Sequence, residues 1–334
     1  IVFGDWSSDV CSSDLAQPNS NQVHVNRPLT NISVAYMQNQ ANFIADKVFP
    51  VVPVDKQGDI YTVYTKNDWF RDEATARAAG TESAGSGYNL DNSNTYYAVP
   101  YAFHKDVPDQ LRANADSHLN LDREATEFVT QRLLVRRERL WATNYFTTSK
   151  WGTDVVGGTN FTVWSDFAGS DPAADIETGK VTILTATGFE PNTLVLGYEV
   201  FSKLKQHPVI KDQFKYVSSA SITEEMLANF FDVDRVLVAK ATYATNVEGE
   251  TAAYSLIQGK HALLCYVNPR PSLMTPSAGY VFGWRGISQG MGVNMAMKRF
   301  RMEHLESDRV EGQFAYDMKV IGSDLGYFFS GAVS

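Results

Sequence analysis

One long stretch without helix-breaking residues constrains this chain more than any other feature. Between Pro108 and Gly152 there is no proline or glycine, the residues that most reliably interrupt helices. Asn120 is a suitable N-cap, and acidic residues follow in the first turn, where negative charge favours the helix dipole. The spacing predicts a helix over residues 121–147, about 40 Å long at roughly 1.5 Å per residue. Such a helix is too long for an ordinary surface helix of a small domain.

The apolar residues of this helix point in several directions. Helical spacing separates three groups: Val129, Leu133 and Leu140; Leu134, Trp141 and Tyr145; and Phe128 with Val135. A surface helix shows one apolar face, whereas a helix covered from several sides shows more. The pattern therefore predicts a helix that is contacted on more than one side.

Arginines are interleaved with these apolar groups, at Arg123, Arg132, Arg136, Arg137 and Arg139. Buried guanidinium groups need partners, so the helix cannot be wholly buried unless carboxylates or other acceptors meet them. Two interpretations stay open. The helix is either a core helix with solvated arginines, or a spine that touches both its own domain and neighbouring copies of the chain.

Length, charge and cysteine content narrow the class of protein. A chain of 334 residues can bury a large core and usually divides into lobes. The net charge of -9 argues against wrapping nucleic acid through a basic surface. No apolar run approaches the roughly 20 residues that are needed to cross a bilayer. The two cysteines are too few for a disulfide scaffold or a thiolate metal site, which favours a reducing cytoplasm.

The first fifteen residues, IVFGDWSSDVCSSDL, do not fit the pattern that follows. They lack a starting methionine, a basic segment and any clear periodicity, so they are not a signal peptide. They resemble translated sequencing-adapter sequence. We therefore expect residues 1–15 to be a non-native leader that is poorly ordered and dispensable for folding, and Cys11 to have no role.

An extended hairpin is predicted before the long helix. Residues 16–46 read as a polar arm, and residues 59–66 and 95–105 alternate as strands do. Between these strands lies a long polar passage that contains three glycines and few apolar residues. A hairpin of this composition is marginal in isolation, and so long a loop is unusual unless it is functional. The hairpin therefore needs contact with another surface to be stable.

An alternating α/β pattern follows the helix. Residues 193–197, 235–242 and 262–267 read as strands, and residues 198–216 as a helix that is interrupted at Pro208. Thr223 is a predicted N-cap of a short helix that ends at residue 231. Two long closing strands are predicted at residues 295–303 and 313–321, separated by a turn at residues 306–309.

Motifs that carry catalytic chemistry are absent from the sequence. It contains no phosphate-binding GxxxxGK[ST] loop, GxSxG elbow, HExxH motif, CxxC pair or calcium-binding loop. The histidines are scattered, at His24, His104, His118, His207, His261 and His304, and no two have ligand spacing. We therefore predict no catalytic, cofactor-binding or metal-binding residues.

The order of these parts resembles a known family. The segments ADKVFPVVPVDKQGDIYTVY and YAVPYAFHKDVPD and the FGWRG element at residues 282–286 are similar to tailed-bacteriophage major capsid proteins of the Hong Kong 97-type fold. The resemblance covers roughly residues 22–334. It implies an α+β fold with an N-terminal arm, an extended β-hairpin loop, a peripheral domain with a long spine helix, and an axial α/β domain.

The same resemblance implies a division of the chain. Residues 16–54 are expected to form the N-terminal arm and residues 55–105 the extended loop. Residues 106–150 and 284–334 are expected to form the peripheral domain, and residues 151–283 the axial domain. Some relatives cross-link subunits through a lysine of the extended loop, but Lys56 and Lys66 both lie away from its tip, which argues against such a bond here.

The function implied by the resemblance is structural and not enzymatic. Hexamers and pentamers of the chain would form an icosahedral head around double-stranded DNA, assembled in the host cytoplasm with scaffolding and portal proteins. One alternative is an encapsulin-like compartment, which has the same fold but encloses cargo enzymes. An α/β enzyme is a weaker alternative. Subunit contacts are predicted between arginines of the helix and carboxylates of a neighbour's loop: Arg132, Arg136, Arg137 and Arg139 with Glu73, Glu82 and Asp91.

Overall fold

The computed structural model describes residues 37–64, 66–115, 119–214, 222–247, 249–270, 276–287 and 295–334. The leader predicted at residues 1–15 and most of the predicted arm lie outside these ranges. Seven α-helices occur within them: α1 (Lys66–Trp69), α2 (Asp109–Asn114), α3 (Leu121–Tyr145), α4 (Pro172–Thr187), α5 (Tyr198–Leu204), α6 (Pro208–Phe214) and α7 (Glu224–Phe231). In this part of the chain, no helix combines the length and the apolar character that a membrane crossing requires.

Sixteen strands complete the described fold and form two five-stranded sheets and three two-stranded ladders. They are β1 (Val51–Val54), β2 (Gly58–Ile60), β3 (Val63–Tyr64), β4 (Leu90–Asp91), β5 (Thr95–Tyr97), β6 (Val99–Pro108), β7 (Thr153–Val156), β8 (Thr193–Gly197), β9 (Arg235–Ala239), β10 (Thr242–Ala244), β11 (Tyr254–Leu256), β12 (Ala262–Cys265), β13 (Gly279–Trp284), β14 (Ala296–Met302), β15 (Ser307–Val320) and β16 (Gly326–Ser330). Mixed helices and sheets give the α+β class that the sequence predicts.

The long helix α3 has the start that the sequence predicts and ends two residues early. The Asn120 side chain accepts a hydrogen bond from the Arg123 amide (3.0 Å), which satisfies one of the free amides at the helix start. At the other end, the Trp151 indole N–H donates to the carbonyl of Tyr145 (2.6 Å). This contact satisfies one of the carbonyls that a helix end leaves free, so α3 stops at Tyr145.

The first sheet is built around β15, whose fourteen residues pair with three other strands. Strand β6 pairs antiparallel with β15 over residues 307–316, β14 covers residues 307–313, and β13 covers residues 316–320. Helix α3 lies across β6 and β15. Gly312 permits this close packing, because a Cβ there would lie 2.7 Å from Leu133 Cδ1 and 2.8 Å from Val129 Cγ1.

The second sheet has the order β7-β16-β12-β8-β9 and carries helices α4, α5 and α7. All five residues of β8 are buried, as expected for a strand covered on both faces. The predicted N-cap at Thr223 is confirmed, since its hydroxyl accepts a hydrogen bond from the Met226 amide (3.3 Å). Helix α4 begins behind an Asp171 N-cap and ends at Thr187, where Gly188 with φ 74° forms the C-cap.

Two boundaries of the predicted division do not coincide with the sheets. Strand β13 lies between β1 and β15 in the first sheet, so the passage between lobes precedes Gly279 instead of falling after residue 283. Strand β16 pairs with β7 and β12 in the second sheet, although residues 284–334 were all expected in the peripheral domain. Hydrogen-bonded pairing between distant strands decides both boundaries, and local sequence does not encode it.

Two local predictions were also wrong. The reversal between the closing strands occupies residues 303–306, with Glu306 left-handed (φ 44°), and not residues 306–309. The strand predicted over residues 59–66 is split into β2 and β3, followed by the short helix α1. The split arises because β2 pairs with β5, whereas β3 pairs with β4.

Candidate assembly surfaces

The extended loop is an open structure with little internal support. Its two ladders are short, three residue pairs between β2 and β5 and two between β3 and β4. Every residue from 69 to 93 is exposed, and residues 71–78 and 82–89 have no regular structure. So few backbone hydrogen bonds and so little burial cannot by themselves offset the conformational entropy of ordering the loop. The structure therefore agrees with a hairpin whose ordering depends on contact with another surface.

Three aromatic rings of this loop form a group, which we call the loop cluster, and two of them are exposed. Tyr64, Trp69 and Tyr88 have ring centroids 5.7–6.0 Å apart, within the range of favourable aromatic pairs. Trp69 is 50% exposed and Tyr88 60%, and the adjacent Phe70 is 60% exposed. Large apolar side chains gathered on one exposed surface are typical of an interaction site.

The base of the loop is attached to its own subunit, whereas residues 71–93 are exposed and have no such attachment within the part of the chain that the structure describes. Tyr96 stacks on Phe282 with centroids 4.7 Å apart. The Tyr97 amide donates to an Asp317 carboxylate oxygen (2.9 Å). Beyond these contacts, an ion pair of Lys66 with Asp324 (2.5 Å) holds α1. These contacts fix the base of the loop relative to the rest of the subunit.

The helix arginines predicted to make subunit contacts all meet groups of their own chain. Three lie over aromatic rings: Arg132 over Phe128, Arg136 over Tyr101 and Arg139 over Tyr243, with guanidinium carbons 4.5–5.4 Å from the ring centroids. Cation–π contacts at exposed sites contribute about 0.5–1 kcal/mol each. Since no hydrogen bond from these three guanidinium groups is present among the described residues, their N–H donors can bind a second partner.

Arg137 differs from the other three. Its side chain is 13% exposed, and its guanidinium lies 3.4 Å from an Asp46 carboxylate oxygen. A substitution of Arg137 would therefore disturb the fold itself. The residue is poorly suited to a test of assembly.

The predicted loop carboxylates do not approach these arginines within one subunit. Glu73 lies 3.5 Å from Arg71, and Asp91 accepts hydrogen bonds from Ser93 and Asn94. Glu82 is exposed and has no ion pair among the residues that the structure describes. Pairing between these carboxylates and a neighbour's helix stays a prediction.

A substitution of Arg136 tests whether the helix arginines pair with carboxylates of a neighbour's loop. The substitution Arg136→Glu is expected to leave the subunit folded, because an exposed cation–π contact is worth only about 0.5–1 kcal/mol. If the arginine meets a carboxylate of a neighbour, particle yield falls and the wild-type yield falls with added salt. The measurement is particle yield by sedimentation beside circular dichroism, with Arg136→Lys as the charge-conserving control. Normal particles from Arg136→Glu would show that Arg136 is merely solvated.

Helix α3 also contains a buried carboxylate, which was not predicted from the sequence. Glu138 has 0% exposure, and its Oε2 accepts hydrogen bonds from the amides of Ile44 (3.1 Å) and Ala45 (2.9 Å). The Gln258 side-chain amide donates to Oε1. Glu138 follows Leu134 by four residues and precedes Trp141 by three. Glu138 therefore lies in an apolar stripe of the helix. This position was the sequence signal that could have indicated its burial.

Glu138 and Arg235 together hold residues 43–49, which we call the arm root. Residues 44–48 form one helical turn in which the Val48 amide donates to the Ile44 carbonyl (3.2 Å). Glu138 binds the free amides at the start of this turn. Arg235 of β9 donates to the carbonyls of Lys47 and Val48 at its end (2.9 Å each). The two charges match the polarity of a helix, negative at the start and positive at the end.

The Glu138 carboxyl is electrostatically unusual. Burial raises its pKa from 4.5 to about 6, and the amides of Ala45 and Ile44 and the Gln258 side chain limit that rise. Burial disfavours the charged form, whereas hydrogen bonds to the oxygens favour it. Desolvation therefore outweighs the donors. At neutral pH the fold contains a costly buried charge.

A second polar cluster joins the start of α3 to the closing strands. Three arginines alternate with three aspartates at contact distances of 2.6–2.9 Å: Arg112, Arg299 and Arg301 with Asp109, Asp122 and Asp308. The charges balance within the cluster. It therefore orients α2 and β14 and leaves no free charge for a ligand.

The described residues show no candidate metal centre. They contain no group of three or more His, Cys, Asp or Glu side chains that could hold a metal ion. Ser170 and His207 form a buried pair (3.0 Å), but the Ser170 hydroxyl donates to the carbonyl of Asp166 (2.6 Å). That proton is not directed at the imidazole, so the pair is a structural contact.

Known proteins with similar sequences are phage capsid proteins. No family model matches the sequence. The chain is 27% identical over 308 residues to the major capsid protein of Burkholderia phage BcepMu, covering 91% of this chain and 95% of that protein. It is 25% identical over 312 residues to the major capsid protein of Pseudomonas phage JBD67, covering 92% and 96%.

Solved structures with similar folds agree with these relatives. A phage-related protein from Bordetella bronchiseptica RB50 matches with a TM-score of 0.67 and 26% identity, over 88% of this chain and 94% of that one. The capsid of cyanophage P-SCSP1u matches with a TM-score of 0.60 and 11% identity, over 94% of each chain. The SrpI encapsulin of Synechococcus elongatus matches with a TM-score of 0.56 and 12% identity, over 96% and 98%. The last two show the fold alone.

The similarity to two capsid proteins over about nine-tenths of the chain, the shared fold and the exposed extended loop agree with one another. The chain combines a long helix laid on a β-sheet, a second mixed sheet and an exposed extended hairpin, which are the parts that the resemblance to capsid proteins implies. By sequence the chain is similar to major capsid proteins of tailed phages, and together with the Hong Kong 97-type fold this similarity supports a structural role in the virion capsid.

Proposed function

We propose that this chain assembles into hexamers and pentamers that close an icosahedral head around double-stranded DNA. In this assembly, the extended loop of each copy lies on its neighbour. The observation that carries the proposal is the loop cluster, an exposed group of aromatic rings on a segment that its own subunit barely supports. Covering a half-exposed Trp or Tyr side chain contributes on the order of 1–2 kcal/mol. That contribution recurs at every equivalent contact of a shell.

The charge of the chain fits a container better than a DNA-binding protein. A net charge of -9 gives no general attraction to phosphates, so the enclosed DNA would be held by the shell without sequence-specific contacts. Assembly would take place in the host cytoplasm with scaffolding and portal proteins as partners. The shell itself would contact no membrane. These partners are the ones that the resemblance to capsid proteins implies.

An encapsulin-like compartment is the second candidate. It is favoured by one observation, the shared fold with the SrpI encapsulin over nearly the whole chain. The two candidates differ in content, DNA in one and cargo enzyme in the other. Neighbouring genes for terminase, portal and protease would support the phage head, and a neighbouring gene for a cargo enzyme with a docking tail would support the compartment.

Electron microscopy of the expressed full chain tests the proposal directly. We expect closed particles with icosahedral symmetry in negative stain, in which hexameric and pentameric units can be recognised. Only monomers or open aggregates, under conditions in which the chain is folded by circular dichroism, would contradict it.

Hydrogen exchange gives a local test of the loop. Because residues 69–93 are exposed and have few backbone hydrogen bonds, we expect fast exchange there in the unassembled subunit and slower exchange in particles. Helix α3 serves as the internal reference, since its amides are protected in both states. Equal, strong protection of residues 69–93 in both states would contradict an overlap with a neighbour.

A further inference from the structure

We propose that one face of helix α3, together with a cleft at its C-terminal end, binds the phosphate backbone of double-stranded DNA. The face carries Arg132, Arg136 and Arg139, which we call the arginine row. The cleft is open, has a volume of about 630 Å³, and is also lined by Arg139. The inference rests on the proposed function only for the identity of the polyanion, because a phage head would bring DNA to this surface. Binding itself is a property of the single subunit.

The arginine row is the exposed face of the second half of α3. Its members follow one another at intervals of four and three residues, so they lie on one side of the helix. Between Thr130 and Tyr145, the exposed residues are these three arginines and Thr143, which continues the same face. At a rise of about 1.5 Å per residue, the row is about 10 Å long. This face therefore presents a line of positive charge to the surroundings.

The arginine row differs from the rest of the chain because it lacks ion pairs. Most other arginines that the structure describes form ion pairs with carboxylates. The row lies over aromatic rings instead, and no carboxylate pairs with it among the described residues. Lys105 lies 5.1 Å from the centroid of the Phe128 ring that Arg132 also covers, which places a fourth cation beside the row. An aromatic ring positions a guanidinium without neutralising its charge.

The cleft adds hydrogen-bond donors and further positive charge. Its lining includes Arg139, Lys150 and His261, together with hydroxyl side chains of Thr143, Thr147, Thr148 and Ser149. The His261 Nδ1 accepts a hydrogen bond from the Gly331 amide (3.0 Å), so the proton of the neutral imidazole is on Nε2. This Nε2 is not among the buried polar atoms, and its N–H meets no acceptor among the described residues. The N–H is therefore available to a ligand.

Acidic side chains do not line the cleft, as far as the structure describes it. Two carboxylates contact its lining residues from behind, and both have partners. Glu138 is buried and accepts a hydrogen bond from Gln258. One oxygen of Asp154 accepts a hydrogen bond from the Ser149 amide, and the other oxygen is buried. A cleft lined by charge of one sign concentrates the field that attracts the opposite charge.

DNA phosphates fit this surface better than carboxylates of a neighbouring copy. A duplex carries one negative charge per about 1.7 Å of its axis, so a row about 10 Å long meets several phosphates without a fixed register. Carboxylates would have to be placed one by one opposite the row, and Glu73 and Asp91 of the extended loop already have partners within that loop. Because the whole chain has a net charge of -9, the contact is local and weak.

Binding of the unassembled full chain to a labelled duplex, followed by fluorescence anisotropy at several salt concentrations, tests this surface. Each phosphate contact contributes about 0.9 to the slope of log affinity against log salt. Wild type is expected to bind at about 50 mM salt, and the triple variant Arg132→Gln, Arg136→Gln and Arg139→Gln is expected to lower the slope by about 2.7. Between about 50 and 200 mM salt, wild type then loses roughly 40-fold more affinity than the variant. Lys150→Gln is expected to lower the slope by about 0.9.

The matched control removes the same charge from exposed arginines outside the row, as Arg71→Gln with Arg77→Gln and Arg123→Gln, and is expected to keep the wild-type slope. Circular dichroism checks folding. If the triple variant does not fold, Arg136→Gln alone is expected to lower the slope by about 0.9. An unchanged slope for Lys150→Gln would overturn the part assigned to the cleft.

Equal slopes for the triple variant and the control, or no binding by wild type, would overturn the proposal. Equal slopes with a loss of closed particles would assign the arginine row to carboxylates of a neighbour, and equal slopes with normal particles would show that the row is solvated. Because the DNA assay uses the unassembled chain and particle formation is measured separately, a failure of this inference is distinguishable from a failure of the proposed function.

Discussion

Changing Trp69 and Tyr88 together to serine is expected to abolish closed particles while leaving the subunit folded. Both rings belong to the loop cluster and are at least half exposed, so their loss should change the free energy of unfolding by less than about 1 kcal/mol. In the assembled shell, the same rings would be covered by a neighbour. Losing about 2 kcal/mol at each contact weakens that contact roughly 30-fold, and the loss is repeated at every equivalent position.

Particle yield by sedimentation and electron microscopy, measured beside a denaturant unfolding curve of the unassembled chain, checks this expectation. The matched control is Thr75→Ala with Ser83→Ala, which changes two exposed residues of the same loop and removes no ring. The control is expected to give particles in normal yield. Closed particles in normal yield from the Trp69 and Tyr88 variant would show that the loop cluster is not an assembly contact.

Features that depend on neighbours in the sequence were predicted well. Helix α3, its Asn120 cap, the Thr223 cap and the buried strand β8 each follow from local patterns, namely the absence of breakers, a capping side chain and a continuous apolar run. The order of extended hairpin, long helix and alternating helices and strands was also predicted from the sequence. Local propensity and global fold agree at these positions, as is typical of natural sequences.

Features that depend on distant pairing were not predicted. The assignment of β13 and β16 to their sheets rests on hydrogen bonds between strands far apart in sequence. The loop cluster was missed for the same reason, since Tyr64 and Tyr88 are separated by the whole tip of the loop and meet only because β3 pairs with β4. Composition shows that aromatic residues are present but cannot show that they converge.

The arginines of α3 were only partly predictable from the sequence. Arg132, Arg136, Arg137 and Arg139 were expected to need partners, and the structure supplies rings for three of them and Asp46 for the fourth. The charged residue of α3 that the fold does enclose completely is Glu138, an acid hidden among these bases in the run RRER. The charge of a residue did not predict its burial.

Glu138→Ala is expected to destabilise the subunit by about 3 kcal/mol or more at pH 7, more than any surface substitution of the loop or of α3. It removes the acceptor of the Ile44 and Ala45 amides and the partner of Gln258, and each buried donor left without a partner costs about 1–3 kcal/mol. Part of that cost is offset at pH 7, because the variant no longer buries a charge. Denaturant unfolding of the unassembled chain measures the difference, and Glu124→Ala in the first turn of the same helix is expected to lower the free energy of unfolding by less than about 1 kcal/mol.

The pH dependence of the destabilisation by Glu138→Ala shows whether desolvation or an ion pair dominates the environment of the Glu138 carboxyl. Alanine does not titrate, whereas wild type gains stability from the proton on Glu138 as the pH falls through about 6. The destabilisation by Glu138→Ala is therefore expected to be about 1 kcal/mol larger at pH 5 than at pH 7. A carboxylate paired with a cation would give the opposite sign, since protonation would then remove a favourable ion pair. A destabilisation that shrinks at pH 5 would show that Arg137, and not desolvation, dominates the environment of Glu138.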